Sequence, residues 1–127
     1  TGAILINPSS DFELPAYNLD VYGTASISST LRVGSTVTAT NFILSSDKTL
    51  KDNIRSIDNN HIDVNWKNFE LKSEPGIKRS GVIAQELEEK HPEFVRTDKE
   101  GLKSVAYIDL LIAKIAELEA RLEKAGI

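Results

Sequence analysis

Six apolar residues near the end of the chain, Ile108, Leu111, Ile115, Leu118, Leu122 and Ala125, step by three and four. That spacing keeps returning to one side of an α-helix and is the a/d seam of a coiled coil. A helix built this way carries a stripe that one chain leaves unpaired, so the sequence calls for a partner. Val105 and Ile112 widen the stripe beyond the needs of two strands, which assigns part of the helix to contact with its own globular segment. Glu117, Glu119, Arg121, Glu123 and Lys124 are expected on its solvated face. Ile at a with Leu at d favours a dimer taken alone. The wide stripe and the opposite end of the chain shift the expectation to a trimer.

That opposite end is a different kind of polypeptide. Of the 34 Asp, Glu, Lys and Arg residues, only Asp11, Glu13, Asp20 and Arg32 precede Ser45. From Val21 the apolar residues fall on odd positions (Val21, Ala25, Ile27, Leu31, Val33, Val37, Ala39), with Ser, Thr and Gly filling most of the gaps. This is the period of a strand. Gly23 and Gly34 punctuate it, and Asn7-Pro8-Ser9-Ser10-Asp11 marks a loop before it. So short a stretch of small side chains cannot enclose a core within one chain, whereas several copies wound together can. Residues 1–45 are therefore read as the end of an intertwined, trimeric β-structured shaft, with disorder as the alternative, against which the strand-period apolar residues argue. The fold class expected is α+β: the shaft segment, a small α+β domain over 46–103, and a C-terminal trimeric coiled-coil helix over 104–127.

Between the two ends the pattern changes several times. Asn41-Phe42-Ile43-Leu44 is a short apolar run suited to docking the shaft end. Ser46 or Asp47 can cap a short helix running through Leu50, Ile54 and Ile57. Ile62 to Leu71 alternates and reads as strand, with Trp66 in the core. Ser73-Glu74-Pro75-Gly76 is a turn, and Ser80–Leu87 leads into a helix that ends near Lys90 because Pro92 cannot continue it. Glu93-Phe94-Val95 is expected to be extended, and Asp98-Lys99-Glu100-Gly101 to be the turn of a hairpin.

Composition excludes several classes of function. The net charge of −4 is shared evenly across the Ser45 boundary, so there is no polybasic field for nucleic acid or an anionic membrane. Without cysteine there are no disulfides and no thiolate zinc sites. His61 and His91 lack metal-ligand spacing and are assigned solvated or capping roles; neither metal nor cofactor is expected. No apolar run approaches the ~20 residues of a membrane span. The chain opens abruptly and is read as the tail end of a longer polypeptide.

Candidate chemistry lies in Ser46-Asp47-Lys48-Thr49-Leu50-Lys51, at the boundary itself. A serine hydroxyl becomes a useful nucleophile when a base takes its proton, and Ser-Lys pairs are a known variant of that arrangement. Lys51 can serve if it is desolvated, because burial disfavours the ammonium form. Residues five apart sit roughly 140° round a continuous helix and ~17 Å apart when extended. Ser46 must therefore precede the helix bearing Lys51, or be served by Lys51 of another subunit. Attack of Ser46 on the Ser45 carbonyl closes a five-membered ring, whereas attack on its own carbonyl closes a strained four-membered one. The Ser45-Ser46 bond is thus the expected cleavage site, with Ser46-Asp47, cut by a neighbouring chain, as second choice. Against this chemistry stands a plain helix start with Ser46 or Asp47 as cap and a lysine in its first turns.

The motifs Ser46–Ile54, Gly81-Val82-Ile83-Ala84-Gln85-Glu86-Leu87, Pro92-Glu93-Phe94-Val95 and Gly101–Tyr107 with Leu110-Leu111, followed by the terminal helix, occur in one order over residues 45–127. Together they resemble the C-terminal intramolecular chaperone domain of phage tailspikes and tail fibres, the auto-cleaving S74 peptidase family found in endosialidase tailspikes. The resemblance implies a homotrimer that guides folding of the upstream fibre shaft of the same polypeptide and then releases itself by serine-dependent self-cleavage, each site turning over once. Ser46 matches the family nucleophile and Lys51 its dyad partner. A tail fibre precursor made in the host cytoplasm is implied, with the chaperone part released after cleavage. Gln85 and Glu86 lie in a strong family motif and are given structural roles. The alternative is a non-enzymatic trimerisation foot that stays attached to the fibre.

Overall fold

The computed structural model describes residues 4–6 and 17–126, which divide into two compact units, Thr1–Ser46 and Asp47–Ile127. In the first unit, strands β1 (Ile4–Ile6) and β2 (Leu19–Val21) pair in parallel, with Ile4 opposite Leu19 and Ile6 opposite Val21. The loop expected at Asn7–Asp11 lies outside the described residues. From Tyr22 to Ser46 no residue is in a strand or helix. The odd-position apolar residues Ile27, Leu31, Val33 and Val37 are exposed, as are Phe42, Ile43 and Leu44. Strand-period residues need a ladder partner, and in this segment the single chain supplies none.

The second unit opens with a 3-10 turn over Lys48–Leu50. The longer helix expected through Ile54 and Ile57 does not form; beyond the turn no residue is helical or in a strand until Lys67. Asn53 adopts a left-handed φ of +55°, a conformation that asparagine tolerates and a helix excludes. The alternating run from Ile62 is likewise a strand only at β3 (Lys67–Phe69). Ile62 and Val64 still turn inward, into the core, but from irregular backbone. Trp66, expected inside, is 49% exposed.

Strand β3 pairs antiparallel with β4 (Arg79–Gly81), with Lys67 opposite Gly81 and Phe69 opposite Arg79. The connection turns at Gly76 (φ +86°), whose N–H donates to Glu70 Oε1 at 2.6 Å. Helix α1 (Ala84–Lys90) follows, with Glu86 in its first turn and Lys90 in its last, each complementing the helix dipole. It ends where expected, before Pro92. Pro92–Phe94 forms a 3-10 turn, so the extended course begins only at Val95. The hairpin β5 (Val95–Thr97) and β6 (Lys103–Val105) is in the expected place. Its turn depends on Gly101 (φ +85°) and on Asp98, whose carboxylate accepts the N–H groups of Glu100 and Leu102, both at 2.9 Å. Val105, placed on the helical stripe by its spacing, is instead paired with Val95 in this hairpin.

Helix α2 (Tyr107–Lys124) completes the unit. The core gathers Ile62, Val82, Leu87, Val95 and Leu110, with Val64, Ala84, Phe94, Val105 and Ala113 packed around them. Leu110 is fully buried and ties α2 to this core. Gly81 has no room for a side chain: a Cβ there would run into the Tyr107 hydroxyl and lie 3.3 Å from Phe69 Cε2. That close approach lets Tyr107 Oη accept the Val82 N–H at 3.0 Å. The Gly81-Val82 and Ala106-Tyr107 motifs, 25 residues apart, are thus two halves of one contact.

Candidate functional site

The stretch from Ser46 to Lys51 is shaped by its aspartate. Asp47 takes the extended conformation of an N-cap (φ −62°, ψ 137°), and its Oδ1 accepts both the Thr49 N–H at 2.9 Å and the Thr49 hydroxyl at 2.7 Å. The backbone N–H of Thr49, and then its hydroxyl, hold the Asp47 carboxyl below its ordinary pKa of 3.8. The turn closes when Leu50 N–H donates to Asp47 C=O at 3.0 Å and Lys51 N–H to Lys48 C=O at 3.1 Å. Lys51 leaves the turn extended (φ −125°, ψ 142°).

Two of the sequence alternatives can now be separated. The cap is Asp47, which is the plain helix start with its aspartate alternative. The turn between them is a single 3-10 turn rather than the first turn of a longer helix. Ser46 is the last residue of the first unit, whereas Lys51 belongs to the second.

The other singled-out residues have structural work. Glu86 Oε1 accepts the Asn65 amide at 3.4 Å, joining the start of α1 to the irregular segment before β3. Gln85 is exposed on the first turn of α1. His91 occupies the C-cap position of α1, and its Nε2 accepts the Asp63 N–H at 3.3 Å. Asp63 also meets Lys90, whose ammonium lowers the carboxyl's pKa. His61 Nδ1 lies 3.2 Å from Glu117 Oε1. Among the described residues no group of three or more His, Cys, Asp or Glu side chains is placed to hold a metal ion.

Glu117, like Trp66, is a residue that sequence reasoning misplaced. Assigned to the solvated face, it is 1% exposed. Its Oε1 accepts the Ile62 N–H at 2.7 Å and Lys114 Nζ at 3.0 Å, and its Oε2 accepts from Arg121 at 3.2 Å. These contacts hold its pKa at about 2, the Ile62 N–H having the largest effect. The only sequence signal was the run of cations at i−3 and i+4, Lys114 and Arg121, which is equally common on solvated faces.

Comparison with known families supplies one finding. The family model described as Chaperone of endosialidase (Peptidase_S74) matches residues 46–96. The match begins on Ser46 and runs through the capped turn, the β3–β4 hairpin and α1 to the start of β5. No match to this chain was found among curated proteins or solved structures.

Proposed function

We propose, from residues 46–96 as a chaperone-of-endosialidase segment, that this chain is the intramolecular chaperone of a phage tail fibre or tailspike and releases itself by serine-dependent autoproteolysis. The observation that carries the reading is where the family match starts: on Ser46, followed directly by an aspartate-capped turn that ends at Lys51. In the mechanism, Lys51 Nζ acts as the base and takes the hydroxyl proton as Ser46 Oγ attacks the Ser45 carbonyl carbon. The C–N bond of Ser45-Ser46 breaks, and the proton passes to the departing amine. The ester so formed is hydrolysed by water, leaving a carboxylate on Ser45 and a new N-terminus at Ser46. No cofactor enters, and each chain cuts once.

Oligomerisation belongs to the same proposal. Ile108, Leu111, Ile115, Leu118 and Leu122 are all exposed in the single chain, as a seam awaiting partners would be. Three helices joined along it bring three shaft segments together, so their later pairing is effectively intramolecular. The exposed odd-position residues from Ile27 to Val37 would then find strand partners on neighbouring chains. Non-local pairing of this kind is slow and prone to misassembly, which is the reason for a chaperone. Cutting after assembly makes release irreversible and leaves the shaft kinetically trapped.

A denaturing gel of the purified chain tests the enzymatic step. Fragments of about one third and two thirds of the chain, abolished by Ser46→Ala and by Lys51→Ala while association persists, are the expected result. An intact wild-type chain under conditions where it associates would sink the protease and leave a trimerisation foot that stays attached. Normal cutting by Lys51→Ala would remove the lysine from the mechanism and leave the serine.

A further inference from the structure

Helix α2 has two distinct faces, and it buries the less apolar one. At about 100° per residue, Leu110, Ala113 and Glu117 cluster on one side of the helix, with Lys114 and Arg121 along its border. The seam residues Ile108, Leu111, Ile115, Leu118 and Leu122 cluster on another side, centred about 130° away. The face against the core thus offers one large aliphatic side chain, Leu110, and one carboxylate. Five large aliphatic side chains stay exposed on the seam. Burial of apolar surface alone favours the opposite rotation, with the seam turned inward.

The contacts that oppose this rotation converge on the backbone of one residue, Ile62. Glu117 accepts the Ile62 N–H at 2.7 Å, while Lys114 Nζ donates to the Ile62 carbonyl at 2.8 Å and to Glu117 at 3.0 Å. Ile62 is buried and sits in backbone that is neither helix nor strand, so α2 takes the place of a neighbouring strand for its N–H and C=O. Arg121 and His61 complete the ring round the carboxylate. Among the described residues no buried side-chain polar atom lacks a hydrogen-bond partner. Turning the seam inward would strip both Ile62 groups and separate Glu117 from its cations. Losing partners at buried polar groups is costly, and the cost applies to one orientation only.

We propose that Glu117 and Lys114 act as an orientation clamp, holding α2 at the rotation that keeps its apolar seam outward for other copies of this chain. The inference rests on the oligomeric reading given under Proposed function and adds how a single chain keeps that surface available. Without the clamp the seam folds back on its own core and competes with partner helices. A polar group that fixes helix register or orientation at some cost in stability is a known device in coiled coils.

The chain has no cysteine, so a single Ile115→Cys reports the orientation of the seam through its rate of thiol labelling. The full-length chain is labelled with a maleimide, diluted until sedimentation shows monomer. With the clamp intact, labelling is fast. In Glu117→Leu/Lys114→Leu, with helical signal retained, it is expected to slow by about tenfold or more, as burial of the seam requires. Equally fast labelling in that folded variant overturns the proposal. Should the double variant lose its helix, Lys114→Met decides on the same readout: a slowing of about threefold supports the clamp, and an unchanged rate overturns it. Wild-type chain that stays monomeric at every concentration overturns the oligomeric reading and the clamp's purpose with it. Wild-type association alongside unchanged labelling overturns the clamp alone.

Discussion

Residues 22–46 and residues 47–126 both contain regularly spaced large apolar side chains, yet only the second segment closes a core. In the second, short elements reverse direction at Gly76, Pro92 and Gly101, so that Ile62, Val82, Leu87, Val95 and Leu110 converge. In the first, Ile27, Leu31, Val33 and Val37 follow one another at strand spacing, with no strand or helix formed and no return of the chain to cover them. Periodicity creates an apolar side, but only a second surface buries it. One segment has that surface within the chain. We propose that the other finds it on neighbouring copies.

The comparison can be broken most forcefully at the core. Leu110→Ala removes a fully buried side chain that joins α2 to the hairpins, and should cost about 2–5 kcal/mol in urea unfolding followed by circular dichroism. A loss no larger than that of a surface substitution would show that the second unit is not the self-sufficient one.

A smaller effect is expected from acid. The Glu117 carboxyl is held at about 2 against an ordinary 4.5, facing Lys114, Arg121, His61 and the Ile62 N–H. Because the folded value is depressed, the stability it contributes is fully present above pH 4.5 and drains away as pH falls toward 2. Thermal unfolding between pH 5 and pH 2 should show this decline, and Glu117→Gln should flatten it. An unflattened decline would assign the acid sensitivity to other carboxylates.

The smallest effect sharpens the contrast from the other side. Leu31 is exposed, so Leu31→Ser should leave a dilute, monomeric chain within about 0.5 kcal/mol of wild type. At concentrations where the chain associates, the same change should lower the melting temperature. Equal melting at both concentrations would mean that Leu31 gains no partner on association.

Much of the second unit was legible beforehand because its signals are local. Pro92 ends a helix, Gly101 with Asp98 makes a turn, and a stripe at three-and-four spacing makes α2. Errors arose where a local signal was overruled. A helix through Ile54 was plausible until Asn53 took a left-handed conformation, and the alternation from Ile62 suggested a strand that forms only at Lys67–Phe69. Within the candidate site, a helical start capped by Ser46 or Asp47 could be read from type and spacing, though only one 3-10 turn of it forms. Which of Ser46 and Asp47 was the cap could not, because both side chains can accept the same N–H.

By itself, the sequence determined a C-terminal helix with an apolar seam, the turns and hairpin that precede it, and the odd-position apolar pattern of residues 21–39. Tertiary structure alone decided which side of that helix faces the core. The reason lies in range: helical period is settled by residues three and four apart, whereas the fate of Glu117 depends on the Ile62 peptide, 55 positions away. A carboxylate flanked by cations reads as a solvated face until a buried N–H is brought to meet it.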